Sequence, residues 1–413
     1  MIHNTHNPGD LTLGNQALMQ GNFAQAMTHY VRGLVTLPGL TSTLRANFHL
    51  ARLQYQESRS STAQPHIMVC TSELSHDTAG RAYALAKTYQ KFAHVEIMGS
   101  IFVPGGHMVW PPILKSGIPC HSCIVDDESQ FLQQSAALVA AHPCSVVHLC
   151  RPRVPALFFG ILYKLIWNAN VLMDIEDEEL ALVGAPADWS LSDYLQHNAT
   201  LPALHDLLGR EWTRLAVGMV RSFDGITVSH PALQQRYGGQ IIRQHVRLPR
   251  RTPTTPQVKS GVSHQYGISP HHKVILFLGT PRRHLGLEAV VNALASLDRH
   301  DVILVVMGNF LDDGQQQKLQ AHSKLQCRFV NDEASNVISE LAEQVDFCVL
   351  PQHLDPNIAR FQVSSMLLEA LAAGMPVLAW EEDAMADMMN AGAVLCIQDV
   401  RQAWSQHLRI ALT

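Results

Sequence analysis

The chain has 413 residues, which corresponds to two to three domains at about 150 residues each and leaves length for a sizeable core in every one. Hydrophobic residues make up 47% but Asp, Glu, Lys and Arg only 16%, against about 25% in common soluble proteins, which argues against disorder, a coiled coil or collagen. Thirty basic against thirty-five acidic side chains leave a formal net charge of −5, so no general polyanion binder and no nucleic-acid partner is expected.

Along the chain, Met1 to Asp10 is polar and lacks the charged-then-apolar pattern of a signal peptide. Eight cysteines in so long a chain do not make a disulfide framework, so reduced thiols and a cytoplasmic location are expected. Residues 1–63 read as a helical segment. Gly14, Gly21, Phe23, Ala26, Tyr30 and Pro38 fall at the spacing of one helix–turn–helix repeat, and Leu44, Phe48, Ala51, Leu53 and Tyr55 supply a third helix. This resembles one tetratricopeptide unit plus half of another. Two readings stay open, a helical cap docked on the next domain and a surface for a protein partner.

From Gln64 onward, strand-length apolar runs alternate with helix-period segments. The strand-like runs are His66–Cys70, Val95–Gly99, Val146–Cys150, Val171–Ile175 and Ile226–Ser229; Ala79–Phe92, Ser129–Ala141 and Pro155–Trp167 read as helices. The longest apolar stretch, Val154–Trp167, is shorter than a membrane span of about 20 residues and contains Lys164, so it reads as a buried helix, with membrane association peripheral at most. Pro249–Gly261, with prolines at 249, 253 and 256, reads as a linker. The pattern then restarts with Val274–Gly279, Val302–Gly308, Cys327–Asn331, Phe347–Pro351, Val377–Trp380 and Val394–Ile397. The expected division is therefore residues 1–63, 64–248 and 249–413: a cap and two doubly wound, Rossmann-like α/β domains with a ligand cleft between them.

The most informative segment runs from Val349-Leu-Pro-Gln-His to Met366-Leu-Leu-Glu369-Ala-Leu-Ala-Ala-Gly374-Met-Pro376. A strand ends at Pro351, a helix begins near Ser364, and Gly374 ends it before Pro376 opens the next strand. A helix start at a ligand site offers free N–H groups and a positive dipole end to phosphate. Together with Phe277-Leu-Gly279-Thr-Pro-Arg282-Arg283-His-Leu-Gly286, Val305-Val-Met-Gly308 and Ala342–Pro351, this segment resembles the donor-binding signature of GT-B glycosyltransferases, specifically glycosyltransferase family 4. Upstream, Cys70-Thr-Ser-Glu73 with Thr78-Ala-Gly80-Arg81, His148-Leu-Cys-Arg151 and Asp174–Leu180 are similar to the acceptor-side loops of that family. The resemblance covers roughly residues 65–400.

The resemblance implies a GT-B fold and transfer of a sugar, with retention and without a metal or cofactor, from a nucleotide-sugar substrate to an acceptor that the sequence does not identify. On the donor side it implies Gly279, Arg282, Arg283, Gly308, Ser364, Ser365 and Glu369, with Arg282 or Arg283 neutralising the pyrophosphate and Glu369 holding the ribose. Arg282, Arg283 and His148 are the candidate catalytic groups. Glu73, His76, Gly80, Arg81, Arg151 and Glu176 are the acceptor-side candidates.

Several positions depart from the family pattern. Leu285 and Met366 stand where family members carry lysines, Phe361 where an acidic residue is common, and Cys150 where a histidine contacts the sugar; His148, two residues earlier, shares its strand face. The family also sends a terminal helix back across the cleft, whereas this chain ends at Thr413 after one predicted helix from Val400, so an abbreviated donor domain is expected. A catalytically degenerate relative acting as a binding or partner subunit is therefore the alternative to an active enzyme.

Other patterns carry less. Cys120-His-Ser-Cys123 with Cys144 and Cys150 lacks the paired spacing of a zinc site, and the 23 histidines show no His-Glu-x-x-His motif, so no metal centre is expected. No Gly-x-Gly-x-x-Gly follows either first strand, which disfavours a nicotinamide-dependent oxidoreductase. The acidic run Asp174 to Glu179, costly unless solvated or paired, reads either as acceptor contacts or, in preference, as a helix N-terminus stabilised by the dipole.

Overall fold

The computed structural model describes residues 9–58, 65–103, 106–198, 200–202, 206–243, 265–279, 281, 286–308, 313–322, 324–330, 338, 341–351, 363–380, 383–397, 406 and 408. The chain divides into two compact units, the first comprising Met1–Ser229 and Arg236–Arg243, the second His230–Gln235 and Gln244–Thr413.

The first unit begins with three helices, α1 (Gly9–Met19), α2 (Phe23–Thr36) and α3 (Thr41–Ser58). Small residues allow them to cross closely. A Cβ on Gly14 would lie 2.5 Å from Tyr30 Cε1, and one on Gly33 2.9 Å from Leu44 Cδ2. Asn15 Oδ1 accepts from both Tyr30 Oη (2.9 Å) and Asn47 Nδ2 (2.8 Å), tying all three helices together. Of the expected third-helix run, Leu44, Phe48 and Ala51 are buried and Leu53 is exposed.

After these helices come β1 (His66–Thr71), α4 (Gly80–Tyr89), β2 (His94–Phe102), α5 (Pro111–Leu114), β3 (Cys120–Val125), α6 (Phe131–Ala141), β4 (Val146–Cys150), α7 (Val154–Trp167), β5 (Asn170–Ile175), α8 (Glu179–Leu182), β6 (Gly225–Val228) and β7 (Gln240–Ile241). The strands form a parallel sheet in the order β3-β2-β1-β4-β5-β6-β7. The N-terminal helices dock on its covering helices. Thr28 Oγ1 hydrogen-bonds the Ala140 carbonyl, Arg52 Nη1 donates to Leu165 O (2.9 Å), and Tyr55 meets Trp167 edge-on.

The apolar helix α7 spans about 21 Å at 1.5 Å per residue, and Gly160 brings it onto β4, where an added Cβ would lie 2.5 Å from Leu149 Cδ1. Among the described residues no helix is long and apolar enough to cross a membrane. β3, which the hydrophobic pattern did not reveal, is an edge strand with only two of its six residues buried.

The second unit carries β8 (Lys273–Leu278), β9 (Val302–Met307), β10 (Gln326–Val330), β11 (Val345–Leu350), β12 (Val377–Trp380) and β13 (Val394–Ile397), parallel in the order β10-β9-β8-β11-β12-β13. Apolar residues line both faces. Val274, Leu276 and Leu278 join one buried cluster and Ile275 and Phe277 the other, as expected for a parallel sheet covered on two sides. The linker Pro249–Gly261 and the helix expected from Val400 fall largely or wholly outside the described residues.

Candidate functional site

Each sheet reverses its winding once, between β1 and β4 in the first unit and between β8 and β11 in the second. Loops leaving the carboxyl ends of such neighbouring strands diverge and open a crevice, the usual ligand position in doubly wound folds.

In the first unit a pocket of about 470 Å³ lies there. Thr71 and Ser72 come from the end of β1, Phe102 from β2, Val125 and Asp126 from β3, and Arg151 and Arg153 from the loop after β4. Glu73 fixes its rim by accepting from the backbone N–H of Leu74 and Ser75 (both 2.9 Å), Ser75 Oγ (2.7 Å) and Phe102 N (3.2 Å). Ser72 is 6% exposed, and its Oγ has no hydrogen-bond partner among the described residues. A buried hydroxyl left in that state at a pocket wall is available to an incoming polar group.

Arg151 takes a left-handed conformation (φ +67°), uncommon for a side chain with a Cβ. It is held by its N–H to Asp174 O (3.0 Å) and by ion pairs to Asp177 (2.5 Å), Glu176 (3.5 Å) and Glu179 (3.7 Å). Arg153 donates to Glu179 Oε2 (2.6 Å), Leu208 O (2.8 Å) and Thr213 Oγ1 (3.0 Å). The acidic run does open a helix, with Glu178 as the N-cap of α8, and it is paired with arginines rather than solvated. Asp174, Asp177, Glu178 and Glu179 are buried, and Glu178 is closed off by Tyr237 Oη (2.8 Å) and Arg236 (3.0 Å) while it also caps α8. Burial and the neighbouring Asp177 push Glu176 up to about 7, with Arg151 and Arg81 pulling the other way.

Beneath the pocket, α4 covers a chain of buried polar groups. Arg81, 2% exposed, forks onto Asp174 through Nε (2.7 Å) and Nη2 (2.8 Å), and Nη2 also donates to Ile242 O. Thr227 Oγ1 lies 2.6 Å from Asp174 Oδ1 and 2.9 Å from His148 Nε2, while His148 Nδ1 lies 2.8 Å from Tyr89 Oη. An ionised carboxylate only accepts, so Thr227 donates to Asp174, His148 Nε2–H donates to Thr227, and Tyr89 donates to Nδ1. Burial depresses the imidazole to about 4 and raises the Tyr89 phenol to about 12.

These positions correct two expectations. Arg81 faces the interior of the sheet domain rather than an acceptor, and His148 is fully buried below α4 rather than at the pocket wall. His148 and Cys150 do share a strand face, but that face is the one α4 covers. Glu73, His76 and Arg151 are brought together at the pocket. Gly80 starts α4, where an added Cβ would find only Trp110 at 4.0 Å among the protein atoms, so the packing of the described residues does not require a glycine there. Sequence reasoning missed Ser72, Arg153 and Asp126; Ser72 and Arg153 each follow a strand end by one to three residues, the position that could have found them.

In the second unit the donor-side glycines occupy the corresponding edge. Gly279 (φ +111°) follows β8 and donates to Met307 O (2.7 Å); Gly308 (φ +144°) follows β9 and donates to Val330 O (2.9 Å). Gly286 (φ +72°) starts the helix Leu287–Ser296 pressed against the end of β11, where a Cβ would lie 2.5 Å from Pro351 O. Helix Ser365–Ala372 has Ser364 as N-cap and ends in a Schellman turn, Gly374 N to Leu371 O and Met375 N to Ala370 O (both 3.0 Å). Glu369 lies in it, half-buried. Met366 packs against the clusters on both faces of the sheet, and a Cβ on Gly279 would overlap its sulfur. Arg282, Arg283, Leu285, Phe361 and the side chain of Ser365 lie outside the described residues.

Residues 272–413 match the family model described as glycosyl transferases, group 1. In structure, the chain is similar to a glycosyltransferase from Rickettsia africae (TM-score 0.60, 13% identity, covering 84% of this chain and 88% of that one). It is also similar to Anabaena HepE in complex with UDP and glucose (0.57, 14%, 84% and 89%) and to sucrose-phosphate synthase from Thermosynechococcus elongatus (0.52, 15%, 84% and 90%). The fold is GT-B. No curated protein matches the chain in sequence. In GT-B terms the pocket lies in the N-terminal Rossmann-like domain, and the glycine edge lies in the C-terminal one, within the span of the family match.

Proposed function

We propose that the protein is a glycosyltransferase that moves a sugar from a nucleotide-sugar donor to a hydroxyl-bearing acceptor. The observation that carries this reading is the coincidence of three features: the family match over 272–413, the two left-handed glycines at the carboxyl edge of β8 and β9, and the helix Ser365–Ala372 opening at that same edge. Backbone without a Cβ lets a pyrophosphate approach, and a helix start supplies N–H donors and partial positive charge.

In the transfer, the bond from the anomeric carbon to the terminal phosphate oxygen breaks, and the acceptor oxygen takes its place on the same face of the sugar. The hydroxyl proton leaves on the departing diphosphate. Arg282 and Arg283 neutralise that diphosphate without a metal, and Glu369 holds the ribose. On the acceptor side the pocket offers the Ser72 hydroxyl and the carboxylates Glu73, Asp126 and Glu128 over an apolar wall of Phe102, Val125 and Leu208, a lining suited to a polyhydroxylated acceptor.

A second reading has its own support. Met366 covers Gly279 where the family resemblance puts a lysine, which favours a degenerate relative that serves as a partner subunit through its tetratricopeptide-like helices. Thermal melts of the full chain against UDP-, GDP- and ADP-sugars separate the two. A ligand held by the native state at a hundred times its Kd adds about 2.7 kcal/mol, and the enzyme reading expects such a shift followed by transfer or donor hydrolysis. No shift with any nucleotide sugar at millimolar concentration overturns it.

A further inference from the structure

At the opposite, amino end of the first sheet, four histidines surround one carboxylate. His66 opens β1 and His94 opens β2, directly paired in register; Glu96 is two residues further along β2, and His121 pairs with Met98 from β3. Parallel pairing and the two-residue period put all four side chains on one face. His66 Nε2 lies 3.3 Å and His94 Nδ1 3.9 Å from Glu96 Oε1, while His121 Nε2 lies 2.7 Å from Glu96 Oε2. His142, at the C-terminus of α6, stacks on His121 with ring centroids 3.6 Å apart and planes at 31°.

We propose that His66, His94 and Glu96 form a binding site for a divalent transition metal of the zinc class, with His121 as the hydrogen-bond donor that orients the carboxylate. One ligand atom from each of the three lies within 4.8 Å of the other two. Bonds of roughly 2.0–2.1 Å in tetrahedral geometry put ligand atoms about 3.3 Å apart, the separation already present between His66 and Glu96. Closing the remaining gaps takes a movement of about 1 Å, within reach of a side-chain rotation of His94, which is 57% exposed.

Glu96, His121 and His142 also bring ligand atoms within 4.8 Å of one another, but those two rings stack at 3.6 Å and His121 Nε2 already lies at hydrogen-bond distance from Glu96 Oε2, whereas the His66 and His94 rings meet at 64°. That contrast assigns His121 to the supporting role, the arrangement in which a ligating carboxylate is itself hydrogen-bonded. Two imidazoles and one carboxylate select zinc, nickel or copper over magnesium or calcium, and leave one position for water. The ligands stand on rigid strand starts, at the end of the sheet away from the pocket, so the ion braces β1 against β2 and takes no part in transfer. This departs from the sequence expectation of no metal; the ligands are 66, 94 and 96, too far apart in the chain to form a spaced motif.

The test uses the full chain without a histidine tag, stripped with chelator and titrated with zinc chloride by calorimetry, with cobalt(II) absorption reporting the ligand field. Saturable binding of one ion per chain at micromolar Kd or tighter is expected. Glu96→Gln and His94→Ala should weaken it at least 100-fold, and His121→Ala about 10- to 100-fold. The exposed His271→Ala should leave it unchanged. Because His94 is largely exposed, its variant keeps the wild-type circular dichroism, so a loss of zinc there reports the site. Zinc binding that survives His94→Ala and Glu96→Gln at the wild-type Kd, or no saturable binding by the folded wild-type chain at 100 times micromolar zinc, overturns the assignment.

Discussion

Met366→Lys tests the donor side most directly. The Met366 side chain covers Gly279, with its Cγ 3.2 Å from the position of a Cβ there, so a lysine following the same path puts an ammonium over that glycine. If a diphosphate lies against Gly279, the new cation gives it one charged donor, and single donors to a developing oxyanion are worth about 3–4 kcal/mol, or 10²- to 10³-fold in rate. Without ligand the substitution carries a cost, because the thioether packs against the apolar clusters on both sheet faces. Desolvating part of an ammonium there costs about 1–3 kcal/mol. The variant should therefore melt below the wild type alone and regain most of the difference with saturating nucleoside diphosphate, while donor hydrolysis rises by about 10²-fold. Calorimetry with UDP, GDP and ADP, melts with and without nucleotide, and a hydrolysis assay read these quantities. Lower stability with unchanged diphosphate affinity for all three would refute the placement of the pyrophosphate at Gly279.

Three further outcomes follow from the first unit. His148 should be neutral at pH 5.5 with its proton on Nε2, checked by nitrogen-resolved NMR of the imidazole. Its depression from an ordinary 6.5 to about 4 means that the unfolded chain takes up a proton first, so stability is full above pH 6.5 and falls by about 3 kcal/mol as pH drops toward 4. Glu176→Gln should stabilise the protein by about 1–3 kcal/mol at pH 8 in urea unfolding, with the gain vanishing below about pH 4.5, because a carboxyl raised to about 7 loses stability as pH climbs through that window. Asp174→Asn should cost about 3–5 kcal/mol by the same measurement, since it leaves the Arg81 guanidinium buried without its carboxylate.

The strands that read clearly in the sequence include those buried on both faces. Val146–Cys150 and Val377–Trp380 coincide with β4 and β12, because a mostly apolar run bounded by polar loops has few other interpretations. Val394–Ile397 coincides with β13 although that strand lies at the sheet edge with Leu395 exposed. The Gly374 stop was equally plain, a left-handed glycine followed by proline being a chain-local signal. β3 was not visible, since an edge strand needs only one apolar face and Cys120-His-Ser-Cys presents a mixed pattern.

The acidic run shows what residue type alone leaves undetermined. Five carboxylates within six residues imply solvent unless cations from elsewhere in the chain reach them, and here Arg81, Arg151, Arg153 and Arg236 do so from four separate positions. The same inversion applies to His148 and Arg81. Both sit at motif positions that read as ligand contacts, yet Arg81 forks onto Asp174 of β5 and His148 bonds Thr227 of β6, contacts that only the sheet order brings together. The Arg81 ion pair anchors the Asp174 side chain, and the Asp174 backbone carbonyl receives the Arg151 N–H at the left-handed turn that places Arg151 at the pocket. The buried network thus acts on the pocket by positioning, so Thr227→Val should alter pocket-ligand affinity as well as stability. A variant that destabilises the fold yet binds the acceptor with unchanged KM would separate the two and cut that link.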